Sequence, residues 1–87
     1  QNLATNDAEI RIAFMLLEFG EKYGVSIDEG LQIKLPINRE EMANYVGVTR
    51  ETISRKLSIF EDLGIISLKG NKVLIIKQID KLKSYVE

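Results

Sequence analysis

The chain has no cysteine, no histidine and no tryptophan, and only one proline, Pro36. Without cysteine there are no disulfides and no thiolate metal sites. The missing histidines exclude more. With both residue types gone, the commonest general base, the usual transition-metal ligands and the thiol nucleophile are all unavailable, so no enzymatic activity is expected. The adjacent acidic pairs Asp28-Glu29, Glu40-Glu41 and Glu61-Asp62 suit turns and helix surfaces and do not converge on one site. None of the glycines has the spacing of a phosphate-cradling loop. Long hydrophobic runs are also missing. The longest, Ile12 to Leu17, is far short of the roughly 20 residues of a membrane-spanning helix. No basic stretch followed by an apolar one opens the chain, so no signal peptide, no membrane association and a cytoplasmic location are expected. Net charge is close to balanced, at −1.

What is present fits one small folded domain. Eighty-seven residues, 45% hydrophobic and 29% charged, can bury one core but not two. The charge is unevenly distributed. Residues 1–31 carry two basic against six acidic side chains, whereas residues 32–87 carry ten against seven. Such a bias lets one side of a domain face a polyanion, although a solvated surface has the same look.

Hydrophobic spacing predicts a helix from Ala8 to Tyr23, capped by Asn6 or Asp7 and ended by Gly20 and Gly24. Its inward stripe is expected to be Ile10, Phe14 and Leu17, widened by Ala13, Leu16 and Phe19. Asp28-Glu29-Gly30 reads as a turn, and Leu31 to Leu35 alternates like a half-buried strand that Pro36 stops. Asn38 with Glu41 three residues on has the form of a capping box, opening a second helix near Arg39–Val46 that turns Met42, Ala43 and Val46 inward. Gly47-Val48 breaks it, because glycine takes the positive φ that ends a helix at little cost. Thr49 caps a third helix that runs to about Leu63. Two β-rich runs, Ile65–Leu68 and Val73–Ile76, are joined through Gly70-Asn71 as a hairpin, and Ile79–Val86 forms a short last helix. Residues 1–7 are read as a linker or the end of a preceding helix. Residues 8–87 are read as an α+β, mainly helical winged helix-turn-helix, with a three-helix core, a small antiparallel sheet and a β-hairpin wing.

On the third helix, Ile53, Leu57 and Phe60 form a narrow apolar stripe, and Arg50, Glu51, Ser54, Arg55 and Ser58 occupy the opposite arc. Glu51, Ser54 and Arg55 stand at i, i+3 and i+4, neighbours near the helix start. Arginine pairs bidentately with guanine in the major groove, glutamate accepts from cytosine N4, and serine bonds to several bases or to phosphate. An i, i+4 Glu–Arg pair is equally an ordinary surface ion pair worth a few tenths of a kcal/mol. Arg50, Glu51, Ser54 and Arg55 are the candidate base readers. Asn38, Thr49, Thr52 and Lys56, with Lys69 and Lys72 at the wing tip, are the candidate phosphate contacts. Tyr23, Tyr45 and Tyr85 are read as core or rim residues and not as platforms for stacked bases.

The stretch from Asn38 to Leu57, with Gly47-Val48-Thr49-Arg50-Glu51-Thr52-Ile53-Ser54-Arg55 at its centre and Phe60-Glu61-Asp62-Leu63-Gly64-Ile65-Ile66 after it, resembles the helix-turn-helix of the Crp/Fnr transcription regulators. The likeness extends from about Asp7 to Asp80. It implies that Glu51 and Arg55 read a G·C pair and that Ser54 tunes half-site choice. Serine there is similar to the Fnr branch and Arg50 to the cyclic-AMP-responsive branch, so TTGAT-like and TGTGA-like half-sites both stay open. The resemblance also implies an N-terminal sensor domain and a long dimerisation helix, neither of which fits before Ile10. The chain is therefore expected to be the DNA-binding fragment of a dimeric, effector-responsive regulator, itself monomeric or weakly associated. No cofactor is expected within it, since the effector belongs to the sensor domain. RNA polymerase is a candidate partner beside double-stranded DNA. The competing reading is a winged helix used for protein–protein contact, which predicts an apolar or acidic exposed face on the third helix.

Overall fold

The computed structural model describes residues 7–87, so the linker expected over residues 1–7, apart from Asp7, and the cap expected of Asn6 lie outside the described residues. Helix α1 (Asp7–Tyr23) leads into a four-stranded antiparallel sheet and two helices arranged against it. Strands β1 (Gly24–Ile27) and β2 (Gly30–Lys34) form one hairpin, and β3 (Ile66–Lys69) and β4 (Val73–Ile76) form another. The two hairpins join through β2 and β4, giving the order β1-β2-β4-β3. Between them run α2 (Arg39–Val46) and α3 (Arg50–Asp62), and α4 (Ile79–Lys83) closes the chain.

The buried face of α1 includes the expected Ala13, Leu16 and Phe19 but not the Ile10–Phe14–Leu17 stripe itself. Ile12, Ala13, Met15, Leu16, Phe19 and Gly20 are buried, while Phe14 is 59% exposed and Ile10 and Leu17 are only partly covered. At about 100° per residue the true face lies roughly opposite the Ile10–Phe14–Leu17 line. The cause is the uninterrupted apolar run from Ile12 to Leu17. Such a run is apolar on every side, so periodicity does not choose among its faces, and the sheet and the other helices do.

Strand β1 was not expected either, because Gly24 was read only as the end of a helix. Its function is close approach: a Cβ there would overlap the Gly20 carbonyl oxygen and the Leu31 side chain. The chain therefore turns directly from α1 into β1, whose Ile27 stands opposite Gly30 of β2. Strand β2 is then held between β1 and β4, with Ile33 opposite Leu74 and Leu31 opposite Ile76. The last helix is shorter than the expected Ile79–Val86, ending at Lys83, and it buries Leu82.

The helix-turn-helix forms as its residues dictate. Asn38 Oδ1 accepts the Glu41 N–H at 2.8 Å, and the Asn38 N–H donates to Glu41 Oε1 at 2.9 Å. This reciprocal box satisfies backbone donors that the first turn leaves open. Met42, Ala43 and Val46 pack inward as expected. Gly47 adopts φ 80°, and its N–H and that of Val48 both donate to the Ala43 carbonyl. From the opposite side Arg11 Nε donates to the Val46 carbonyl at 2.8 Å, so a side chain of α1 closes the C-terminus of α2. Ile53, Leu57 and Phe60 are fully buried and anchor α3 on the core.

Candidate nucleic-acid interface

The N-terminal half of α3 is set by its cap. Thr49 Oγ1 accepts the Thr52 N–H at 3.1 Å, and the Thr49 hydroxyl donates to Thr52 Oγ1 at 3.0 Å. With the helix held by its apolar stripe, Arg50, Glu51, Ser54 and Arg55 all point to solvent on one face, and every other exposed position of α3 is polar too. None of these four side chains makes an intramolecular hydrogen bond or ion pair with a described residue. In particular, the Glu51–Arg55 surface pair that their spacing allows is not formed, so both heads are available to a ligand.

The candidate phosphate contacts divide by chemistry. Asn38 Oδ1 is committed to the capping box, which leaves its amide NH2 as a donor. The Thr49 hydroxyl proton is committed to Thr52, whereas that of Thr52 remains free, so Thr52 is the better donor of the two. Lys72 is exposed in the three-residue turn between β3 and β4. Lys69 lies 3.8 Å from Glu29, with both side chains about half exposed, an ion pair too loose and too solvated to hold either group.

Lys56 does not belong with them. It is buried at 8% relative exposure on the inward side of α3, and its Nζ donates to Glu9 Oε2 at 3.1 Å. At about 100° per residue, position 56 follows the exposed Arg55 around onto the flank of the Ile53–Leu57–Phe60 stripe, and its long stem carries the ammonium toward α1. The tyrosines sit at rims: Tyr45 stacks on Phe19 and donates to Glu18, and Tyr85 meets Phe60 edge-on.

One basic residue was overlooked in the sequence. Arg39, the first residue of α2, reaches across to the wing, and its Nη1 donates to the Asn71 carbonyl at 3.4 Å. Burial, and then the nearby Arg50 guanidinium, hold Arg39 below the ordinary arginine pKa. Together with Asn38, Glu40, Arg50 and Asn71 it lines a cleft of about 300 Å³ where the starts of α2 and α3 meet the wing tip. A basic side chain directly after an N-cap was the available signal. Its proximity to Arg50 and to the wing is a product of the fold. Among the described residues no cluster of acidic side chains could hold a metal ion, and no helix is long and apolar enough to cross a membrane.

Two helices joined through a left-handed glycine, the second followed by a β-hairpin, define a winged helix-turn-helix domain. Comparison with known proteins narrows the class. Residues 10–85 match the family model described as a Crp-like helix-turn-helix domain. The anaerobic regulatory protein of Haemophilus influenzae is 34% identical over 73 residues, covering 84% of this chain and 28% of the relative. The CRP-like cAMP-activated global transcriptional regulator of Mycobacterium tuberculosis is 34% identical over 74 residues, covering 85% of this chain and 33% of the relative. Among solved structures, the CO-dependent transcription factor CooA from Carboxydothermus hydrogenoformans superposes with a TM-score of 0.87 at 32% identity, over 93% of this chain and 37% of that one. The chain belongs to the Crp-like helix-turn-helix family of Crp/Fnr transcription regulators, whose named members are regulators and not enzymes. It spans about a third or less of the length of these relatives.

Proposed function

We propose that this chain binds double-stranded DNA sequence-specifically, with α3 in the major groove, as the DNA-reading part of a cytoplasmic, dimeric, effector-responsive transcription regulator. One observation carries the reading: Arg50, Glu51, Ser54 and Arg55 stand together, exposed and unpaired, on the N-terminal face of a rigidly capped helix. Helix-turn-helix proteins use that part of the second helix to reach base edges. Arg55 donates to guanine O6 and N7 and Glu51 accepts from cytosine N4, which together read a G·C pair. Arg39, Thr52 and Lys72 neutralise or bond phosphates around this centre and set its register. The effector is held outside this chain, which itself carries no cofactor. Dimerisation and any contact with RNA polymerase are functions of the whole regulator, and the isolated chain is monomeric or weakly associated. The protein-interaction alternative needs an apolar or acidic exposed face on α3, and the exposed residues there are polar and include both Arg50 and Arg55.

Selection of the 87-residue chain against a random duplex pool tests this. Enrichment of a TTGAT-like or TGTGA-like element containing a G·C pair that depends on Arg55 is the expected result. Salt-sensitive binding without enrichment would leave Glu51 and Arg55 as surface groups. Absence of binding in low salt would refute the reading.

A further inference from the structure

Lysine is rarely buried, and when it is, a partner holds it. The Lys56 side chain is 10% exposed and its partner Glu9 is 21% exposed, so the pair sits inside the join between α3 and the first turn of α1. Tyr85 borders the same place. Burial first, and the Glu9 carboxylate second, raise its hydroxyl above the ordinary tyrosine pKa, and its ring lies 5.1 Å from Phe60 of α3. Among the described residues, the inward side of α3 thus makes one charged contact beside apolar ones, spanning 47 residues of sequence.

Desolvation offsets most of the attraction in a buried ion pair, so its net contribution to stability is small. What the pair adds is direction. Ile53, Leu57 and Phe60 tolerate small rotations against their neighbours, whereas a charge-assisted hydrogen bond fixes a distance and an angle. A rotation of about 20° at a side-chain radius of about 6 Å moves a group by about 2 Å, enough to break a bidentate bond to a base.

We propose that Lys56 is a positioning residue: its ion pair with Glu9 sets the rotation of α3 relative to the first turn of α1, and so aims Ser54 and Arg55 on the exposed face. The functional part of this inference rests on the DNA-reading proposal above, while the geometric part stands apart from it.

The test uses Lys56→Met, which keeps an unbranched apolar stem, and the charge swap Glu9→Lys with Lys56→Glu. Three quantities are read: affinity for a selected duplex relative to a random duplex of equal length, the thermal midpoint, and the orientation of α3 against α1 from residual dipolar couplings. In Lys56→Met the midpoint should fall, because Glu9 is left partly buried without its partner, and the charge swap should recover it. Preference for the selected duplex should fall about tenfold, the scale of one mis-set base contact, with random-duplex affinity little changed. The couplings should report a rotated α3, and the swap should restore both preference and orientation. Preference within twofold of the parent together with an unmoved α3 would overturn the proposal. So would parallel loss of midpoint and preference that the swap does not restore. If the parent chain shows no preference, the DNA-reading proposal fails by itself. The couplings then decide the positioning role, with an unmoved α3 in Lys56→Met refuting it and a rotated one sustaining it.

Discussion

Replacing Gly47 isolates the backbone geometry on which the helix-turn-helix depends. At φ 80° and ψ 39° the residue lies in the left-handed region, and an added Cβ would have nothing within 4 Å. Steric clash with neighbours is therefore absent, and the whole penalty of a side chain is local. Alanine in this region costs about 1–2 kcal/mol. Against this, removing glycine restricts the unfolded chain and returns about 0.4–1 kcal/mol. The net loss for Gly47→Ala is then about 0–1.6 kcal/mol. In a domain of this size each kcal/mol moves the thermal midpoint by about 4–8 °C, so the expected fall is at most about 13 °C. Gly47→Asn should lose less, because asparagine tolerates the left-handed region, and Gly47→Val should lose most, because a β-branched side chain does not. Thermal and urea unfolding followed by circular dichroism give the ranking, with an unchanged urea slope confirming that each variant exposes the same surface on unfolding. Equal stability for glycine, alanine and valine, or asparagine falling below valine, would refute the argument.

Four further outcomes follow from the same geometry. Arg55→Ala should cost about 1–3 kcal/mol on a selected duplex and relax preference at one G·C pair, measured by competition binding; equal loss on all sequences would make Arg55 a phosphate contact only. Thr49→Ala should lower stability by about 1 kcal/mol through the lost cap, while Thr52→Ala should chiefly weaken DNA binding on all sequences alike, which unfolding and binding curves separate. Lys72→Ala should reduce the slope of log affinity against log salt by about 1, and an unchanged slope would remove the wing tip from the interface. Tyr45 donates to Glu18, and that bond, followed by desolvation and the Glu18 charge, raises its pKa. Because the folded pKa is the higher one, the contribution is present at lower pH and is lost as pH rises through it. Phenolate absorbance in a Tyr23→Phe, Tyr85→Phe background should show Tyr45 ionising later than free tyrosine, and Glu18→Gln should bring it down.

Local chemistry accounts for what the residues alone determined. The Asn38–Glu41 box, the Gly47 break, the Thr49 cap and the Ile53–Leu57–Phe60 stripe are each decided within four or so residues in sequence, and each is present in the structure. They place Arg50, Glu51, Ser54 and Arg55 outward by helical periodicity, so the exposed face of α3 was legible before any tertiary contact was known. The hairpin of β3 and β4 was legible for the same reason, with turn residues between two β-branched runs. Tertiary structure decided everything that depended on distant partners. The apolar run in α1 offered no single face until the sheet and the other helices selected the side bearing Ile12, Met15 and Phe19, which left Phe14 outside. Strand β1 exists because β2 supplies its ladder and Gly24 permits the close turn from α1. Lys56 reads as a phosphate contact in the sequence and is instead a buried strut, because Glu9 arrives beside it from 47 residues away. Arg39 joined the basic cleft because the wing tip folds back to within reach. Caps, turns and periodicity are short-range and readable in one dimension, whereas the choice among equivalent faces and the pairing of charges are made by neighbours that only the folded chain brings together.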